Sequence, residues 1–148
     1  MAFIKYGLSL CLLMVSFLGF SQTKLPSMTV KDIDKSTAFE ELIELFGDSD
    51  YFIQNMEKDA GFIQVKFITN RRKGILSRNS GNRVIYNISI KSSVNNTIRI
   101  GLQANVEKEV WNGEVFESSY YYRDEGVSYD PKDYEEILAF IESHFENQ

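Results

Sequence analysis

Two stretches of strict two-residue alternation constrain this chain more than any other feature. Between 83 and 91, Val84, Tyr86, Ile88 and Ile90 alternate with polar Asn87 and Ser89; between 97 and 110, Ile98, Ile100, Leu102, Ala104 and Val106 alternate with Arg99, Gln103 and Asn105. Successive side chains of a strand point to opposite faces, so each stretch is a strand with one apolar and one polar face. A helix would scatter the same residues around its circumference. The polar segment 92–96 reads as a turn joining the two as antiparallel neighbours. Such a sheet needs a cover on its apolar face and tolerates water on the other.

The sequence also supplies the cover. Phe39, Leu42, Ile43 and Phe46 recur at the spacing of one helical stripe, and Thr37 with Glu40 has the pattern of a capping box. Gly47 reads as a left-handed stop, which predicts a helix over 37–46. Near the end of the chain, Asp130 caps a second helix, Pro131 takes its first position and Asp133 suits its N-terminal dipole. Its apolar stripe is Tyr134, Ile137, Leu138, Ile141 and Phe145. Further strands are predicted at 28–33, 51–57, 62–69 and 115–123, with Asn112-Gly113 as a type I′ hairpin turn and 124–129 as a loop. The expected fold is α+β: a two-layer sandwich with an antiparallel four- to five-stranded meander, covered on one face by two helices in the order β-α-β4-α.

The N-terminus predicts export. Lys5 is the only charge in residues 1–21, an apolar run follows it, and Gly19 and Ser21 are small residues at the −3 and −1 positions of a cleavage site. The run is short for a bilayer span, which takes about 20 apolar residues. Residues 1–21 are therefore expected to be a signal peptide, 22–27 a linker, and 28–148 a single α+β domain, placing the protein in the periplasm or outside the cell with no transmembrane anchor after cleavage. Cys11 is the only cysteine and lies inside the signal. The mature chain then has no disulfide and must rely on an ordinary core. Leu10 before Cys11 does not suit a lipidation site, which takes a small residue there.

Charge is segregated along the chain. The protein carries 16 Lys and Arg against 21 Asp and Glu, yet no acid occurs between Asp59 and Glu107, where Lys66, Arg71, Arg72, Lys73, Arg78, Arg83, Lys91 and Arg99 fall. Two readings stay open: the basic sheet balances its own acidic helices, or its polar face docks an anionic partner. Arg71-Arg72-Lys73 is too short for a nucleic-acid tract.

Catalytic motifs are scarce. His144 is the only histidine, so zinc sites built from cysteine and histidine cannot be assembled. There is no Gly-x-Ser-x-Gly elbow, P-loop or Gly-x-Gly-x-x-Gly. Carboxylates are numerous, which keeps a two-carboxylate hydrolase as an alternative. Glu40, Glu41, Glu44, Glu135, Glu136 and Glu142, however, fall on the solvent sides of the helical patterns. Asp48-Ser49-Asp50 lacks the spacing of a calcium loop. Trp111, Phe116, Tyr120, Tyr121, Tyr122, Tyr129 and Tyr134 crowd the last third, where core and edge packing is expected of them.

The order helix, strand, Asp59-Ala60-Gly61 turn and the strand beginning Phe62-Ile63 resembles small secreted envelope domains of Gram-negative bacteria with a TATA-binding-protein-like, or helix-grip, fold. It also resembles the repeated domains of the outer-membrane assembly lipoprotein BamC, from which it departs in lacking a lipobox cysteine. The resemblance implies a binding or scaffold role and transfers no catalytic residue. The function expected is thus an exported, non-enzymatic cell-envelope binding domain without cofactor. Its contact surface is the polar sheet face of Gln64, Lys66, Asn87, Ser89, Lys91, Arg99, Gln103 and Asn105. Suitable partners are an anionic envelope component, such as a glycan or lipid headgroup, or an acidic protein. A carboxylate-dependent envelope hydrolase and a periplasmic inhibitor or immunity protein are the alternatives. Mass spectrometry of the mature protein should show residues 1–21 absent; an intact N-terminus in the envelope fraction would refute export by cleavage.

Overall fold

In the computed structural model, which describes residues 24–69, 81–94, 96–113 and 120–146, the two alternating stretches pair at the centre of a six-stranded antiparallel sheet. The elements run β1 (Ser27–Lys31), α1 (Lys35–Gly47), β2 (Phe52–Glu57), β3 (Phe62–Thr69), β4 (Asn82–Ser92), β5 (Thr97–Trp111), β6 (Tyr120–Val127) and α2 (Lys132–Glu146). Strands β2 to β5 form a meander, giving the order β1-β5-β4-β3-β2. The long β5 carries two partners along its outer edge: β1 pairs with residues 97–101 and β6 with residues 105–111. Between them, the Leu102 amide donates to the Pro26 carbonyl and the Ser128 amide donates to the Ala104 carbonyl, which continues the pairing across the junction. The expectation of four to five strands is therefore corrected to six, because β5 is long enough to take two neighbours on one edge.

Both helices cover the same face. Ala38, Phe39, Leu42 and Phe46 of α1 and Tyr134, Ile137 and Ile141 of α2 are buried against Ile63, Val65, Val84, Tyr86, Ile88, Ile90, Ile98, Ile100, Leu102 and Ala104. Fully burying one such aliphatic side chain is worth about 1.5–3 kcal/mol. This apolar layer outweighs any single surface interaction in the domain. Leu138, expected in the core, is half-buried at its edge with Ile43 and Phe145. Tyr134 stitches three segments together: its hydroxyl accepts from the Ala104 amide at 3.1 Å and donates to the Ser128 carbonyl at 2.7 Å.

The helix ends differ in detail from the sequence expectation. The N-cap of α1 is Asp34, whose carboxylate accepts from the Ser36 and Thr37 amides and from the Thr37 hydroxyl. Thr37 lies inside the helix, and Glu40 instead bonds Lys58 at 2.6 Å. A carboxylate aimed at two free amides is a stronger cap than a threonine hydroxyl, so the helix starts earlier. Gly47 remains helical; the end is made by the Asp48 amide on Glu44 and the Ser49 amide on Phe46. Asp130 does cap α2, accepting from the Lys132 amide at 3.1 Å.

The β5–β6 connection also departs from the expected hairpin. A type I′ turn needs positive φ at both central residues, and of Asn112-Gly113 only Gly113, at 85°, takes it. Trp111 pairs with Tyr120, and β6 runs on through Val127. The described strand, Tyr120–Val127, takes in residues expected to form a loop; residues 115–119 of the expected strand lie outside the described residues.

Gly61 is where the chain requires glycine. Its φ is 69°, its amide closes the turn on the Lys58 carbonyl, and its carbonyl accepts from the Ile90 amide at 2.7 Å. A Cβ there would stand 2.5 Å from the Ile90 carbonyl oxygen, whereas at Gly126, with φ 80°, nothing lies within 4 Å. Both alanine variants bear the left-handed strain, but only Gly61→Ala must also push β3 away from β4. Urea titration should show a clearly larger loss for Gly61→Ala than for Gly126→Ala; equal losses would refute the close approach.

Candidate functional site

The helices leave the other sheet face open, and the strand registers order its side chains into rows. One row is Thr29, Arg99 and Lys91; the next is Ser27, Gly101, Ser89 and Phe62; the third is Gln103, Asn87, Gln64 and Asn55. The middle row is small at its centre. Gly101 has no side chain, and a Cβ placed there would stand 3.0 Å from Ser89 Oγ. The sheet surface is therefore hollowed into a groove of about 360 Å³. Leu25, Pro26 and Phe62 form its apolar sides, Lys91 and Arg99 one end, and Asn87 and Gln103 the other.

All eight residues expected at the contact surface lie on this face, but they do not form one cluster. Asn87, Ser89, Lys91, Arg99 and Gln103 line the groove. Gln64 stands beside it, its side-chain amide donating to Asn87 Oδ1 at 2.8 Å, which holds the Asn87 amide in one orientation. Lys66 lies further along the strands, opposite Ile85, with its ammonium 5.0 Å from the Phe52 ring centroid. Asn105 is level with Ile85 as well, and its side-chain oxygen is buried with no hydrogen-bond partner among the described residues. The three bases Lys66, Lys91 and Arg99 therefore do not act as one patch. Sequence alternation gives a residue's face but not its position along the strand, which depends on register.

Elsewhere three bases of the sheet meet an acid. Arg83 lies 3.9 Å from Glu107 and stacks on Tyr122, its guanidinium carbon 3.3 Å from the ring centroid. Lys108 and Arg123 both face Glu125, and the hydrogen bond from Arg123 holds the Glu125 carboxyl below the usual carboxylate range. Lys91 and Arg99, by contrast, stand directly opposite each other on neighbouring strands, and neither makes an ion pair among the described residues. Two hydrogen bonds to Ser27 Oγ, at 3.1 and 2.9 Å, fix the Arg99 guanidinium at the groove end. Like charges placed directly across strands repel and destabilise a sheet.

The carboxylates show a different distribution. Among the described residues no Asp or Glu is buried as a whole, although Glu41 Oε2 is out of solvent without a hydrogen-bond partner, and no three acid or imidazole groups converge as a metal site would require. Glu41, expected on a solvated face, is half-buried between the helices and lies 3.6 Å from His144 Nε2. Of the C-terminal aromatics expected to pack, Tyr134 is buried, whereas Tyr120, Tyr121 and Tyr129 are exposed. Phe116 lies outside the described residues. No described helix is long and apolar enough to cross a membrane.

Displaced acidities occur on the covered face. Burial, with the Glu136 charge nearby, pushes the Tyr51 hydroxyl up to about 12. Burial also raises Tyr86, whose hydroxyl donates to the Asp133 carbonyl, and Tyr134. An unfolded chain ionises its tyrosines near pH 10. Their contribution is therefore complete below that pH and is lost as pH rises toward and through about 12 for Tyr51.

The result is an α+β domain with two helices on one face of its sheet and, on the other, a groove lined by no acid among the described residues. No protein-family model and no curated protein matches the sequence. Among solved structures, a DUF4468 family protein from Bacteroides ovatus is similar, with a TM-score of 0.38 and 12% sequence identity over 68% of this chain. The chain spans 61% of the length of that structure. The buried tyrosines predict that the urea midpoint falls steadily above pH 10, and that Tyr51→Phe flattens part of the fall; a pH-independent midpoint would refute their burial as neutral phenols.

Proposed function

We propose that the protein is a non-enzymatic binding domain of the cell envelope that holds an anionic group in the sheet-face groove. One observation carries this reading: Lys91 and Arg99 stand side by side at the groove end with no acid of their own among the described residues. Their repulsion disfavours the free sheet by about 0.2–1 kcal/mol, and a bound anion relieves it. The Asn87 and Gln103 amides at the other end can hydrogen-bond a ligand's hydroxyl or carbonyl groups, and Leu25, Pro26 and Phe62 supply apolar contact. The shallow amide-lined groove, with no acid among its described lining residues, favours binding over a carboxylate hydrolase. An inhibitor or immunity role would use the same surface.

The reading keeps the export inferred from residues 1–21 and the helix-grip kinship inferred from element order. What supports that kinship is one strand and a helix, then five strands, then a closing helix on the same face. The test uses defined anions at low salt: oligogalacturonate, anionic phospholipid vesicles and an acidic peptide. At least one should bind the wild type, weaken as salt rises, and bind the Lys91→Gln/Arg99→Gln variant about tenfold or more less tightly. The fold should survive, since wet-face substitutions change stability by about 0.5 kcal/mol or less. Equal binding by variant and wild type, or no binding of any of the three, would overturn the proposal.

A further inference from the structure

Charge and neutral polarity are divided along the sheet-face groove. Lys91 and Arg99, both exposed, hold one end, and Asn87 and Gln103, opposite each other in the same register, hold the other. Lys91 lies four positions from Asn87, as Arg99 does from Gln103. At a rise of about 3.3 Å per residue, the two ends are roughly 13 Å apart along the strands. A lone phosphate or carboxylate is far too small to touch both.

The amide end is open to a ligand. Gln64 donates to Asn87 Oδ1 at 2.8 Å, which commits that oxygen and leaves the Asn87 N–H donors available. No other side-chain hydrogen bond engages Asn87 or Gln103 among the described residues. Their remaining polar atoms keep contact with solvent, whereas the Asn105 oxygen further along the strand is sealed. A side-chain amide both donates and accepts, and so does a hydroxyl group, so the two are matched.

Between the ends, the floor is recessed where Gly101 lacks a side chain, and Leu25, Pro26 and Phe62 form apolar sides. A flat bilayer surface does not enter such a hollow. An extended peptide draws its affinity from main-chain hydrogen bonds to a free strand edge, and here the two strands of the floor are paired with each other. A short sugar chain suits all three parts. Its carboxylate meets Lys91 and Arg99, the C–H face of a ring packs on Phe62, and its hydroxyls meet the amides. We infer, resting on the anion site proposed for this groove, that its ligand is a short acidic oligosaccharide, with a terminal uronate at Lys91 and Arg99 and a neutral sugar at Asn87 and Gln103.

The test is an NMR titration of the purified protein with cellobiouronate, a glucuronate linked to one glucose, following the backbone amides of 87–91 and 99–103. Free glucuronate, which has the charge without the reach, and cellobiose, which has the reach without the charge, are the controls. Cellobiouronate should bind about tenfold or more tighter than either, because it alone engages both ends. Gln103→Ala and Asn87→Ala should each weaken cellobiouronate about three- to tenfold and leave glucuronate unchanged. Lys91→Gln/Arg99→Gln should lose both acids alike. Equal affinity for cellobiouronate and glucuronate, or undiminished cellobiouronate binding by Gln103→Ala, would overturn the inference. Anionic vesicles or an acidic peptide bound through Lys91 and Arg99, with no binding of cellobiouronate, would overturn the sugar assignment and leave the anion site standing. No response of these amides to any of the anions would overturn both. Should Asn87→Ala disturb the fold, Gln103→Ala alone gives the same decision.

Discussion

The pairing of β4 with β5 is the interaction on which the rest of the domain depends. It runs in continuous register from Arg83 opposite Glu107 to Ser92 opposite Ile98. Because the register is unbroken, Val84, Tyr86, Ile88 and Ile90 share one face with Ile98, Ile100, Leu102 and Ala104. A slip of β5 by one residue would turn Ile98, Ile100, Leu102 and Ala104 into water and bring Arg99 and Gln103 under the helices. The burial of several isoleucines opposes such a slip far more strongly than any surface pair could.

From that central pair the other elements take their places. On its inner side β4 receives β3, and β3 receives β2 through the turn at Gly61. On its outer side β5 presents one long edge, which β1 and β6 divide between them. An exposed edge of that length would be a template for pairing with other chains. Two short partners, joined in effect by the Leu102–Pro26 and Ala104–Ser128 hydrogen bonds, remove it. Tyr134 ties α2 to this same junction, so the helical cover and the edge are fixed by one residue.

The groove follows from the same register. Placing Gly101 between Ser27 and Ser89 hollows the open face at the point where Lys91 and Arg99 come opposite each other. Most other bases of the sheet have found an acid or a ring, while these two keep their charge exposed to whatever enters the groove.

The amino-acid sequence by itself determined the layers. Alternation from Arg83 to Val110 and the helical stripes around Phe39 and Ile137 are local patterns, so the sheet, its two helices and the wet or dry side of each strand are legible from neighbouring residues alone. The same alternation assigns the members of the open face, from Gln64 to Asn105. Tertiary structure decided what depends on residues far apart in the chain. It paired β1 and β6 with the same edge of β5, moved the α1 cap to Asp34, drew Glu41 and His144 between the helices, and set Lys91 opposite Arg99 while leaving Lys66 beside Phe52. Period and propensity are written in adjacent residues, whereas register, neighbour and counter-ion arise only when separate segments meet.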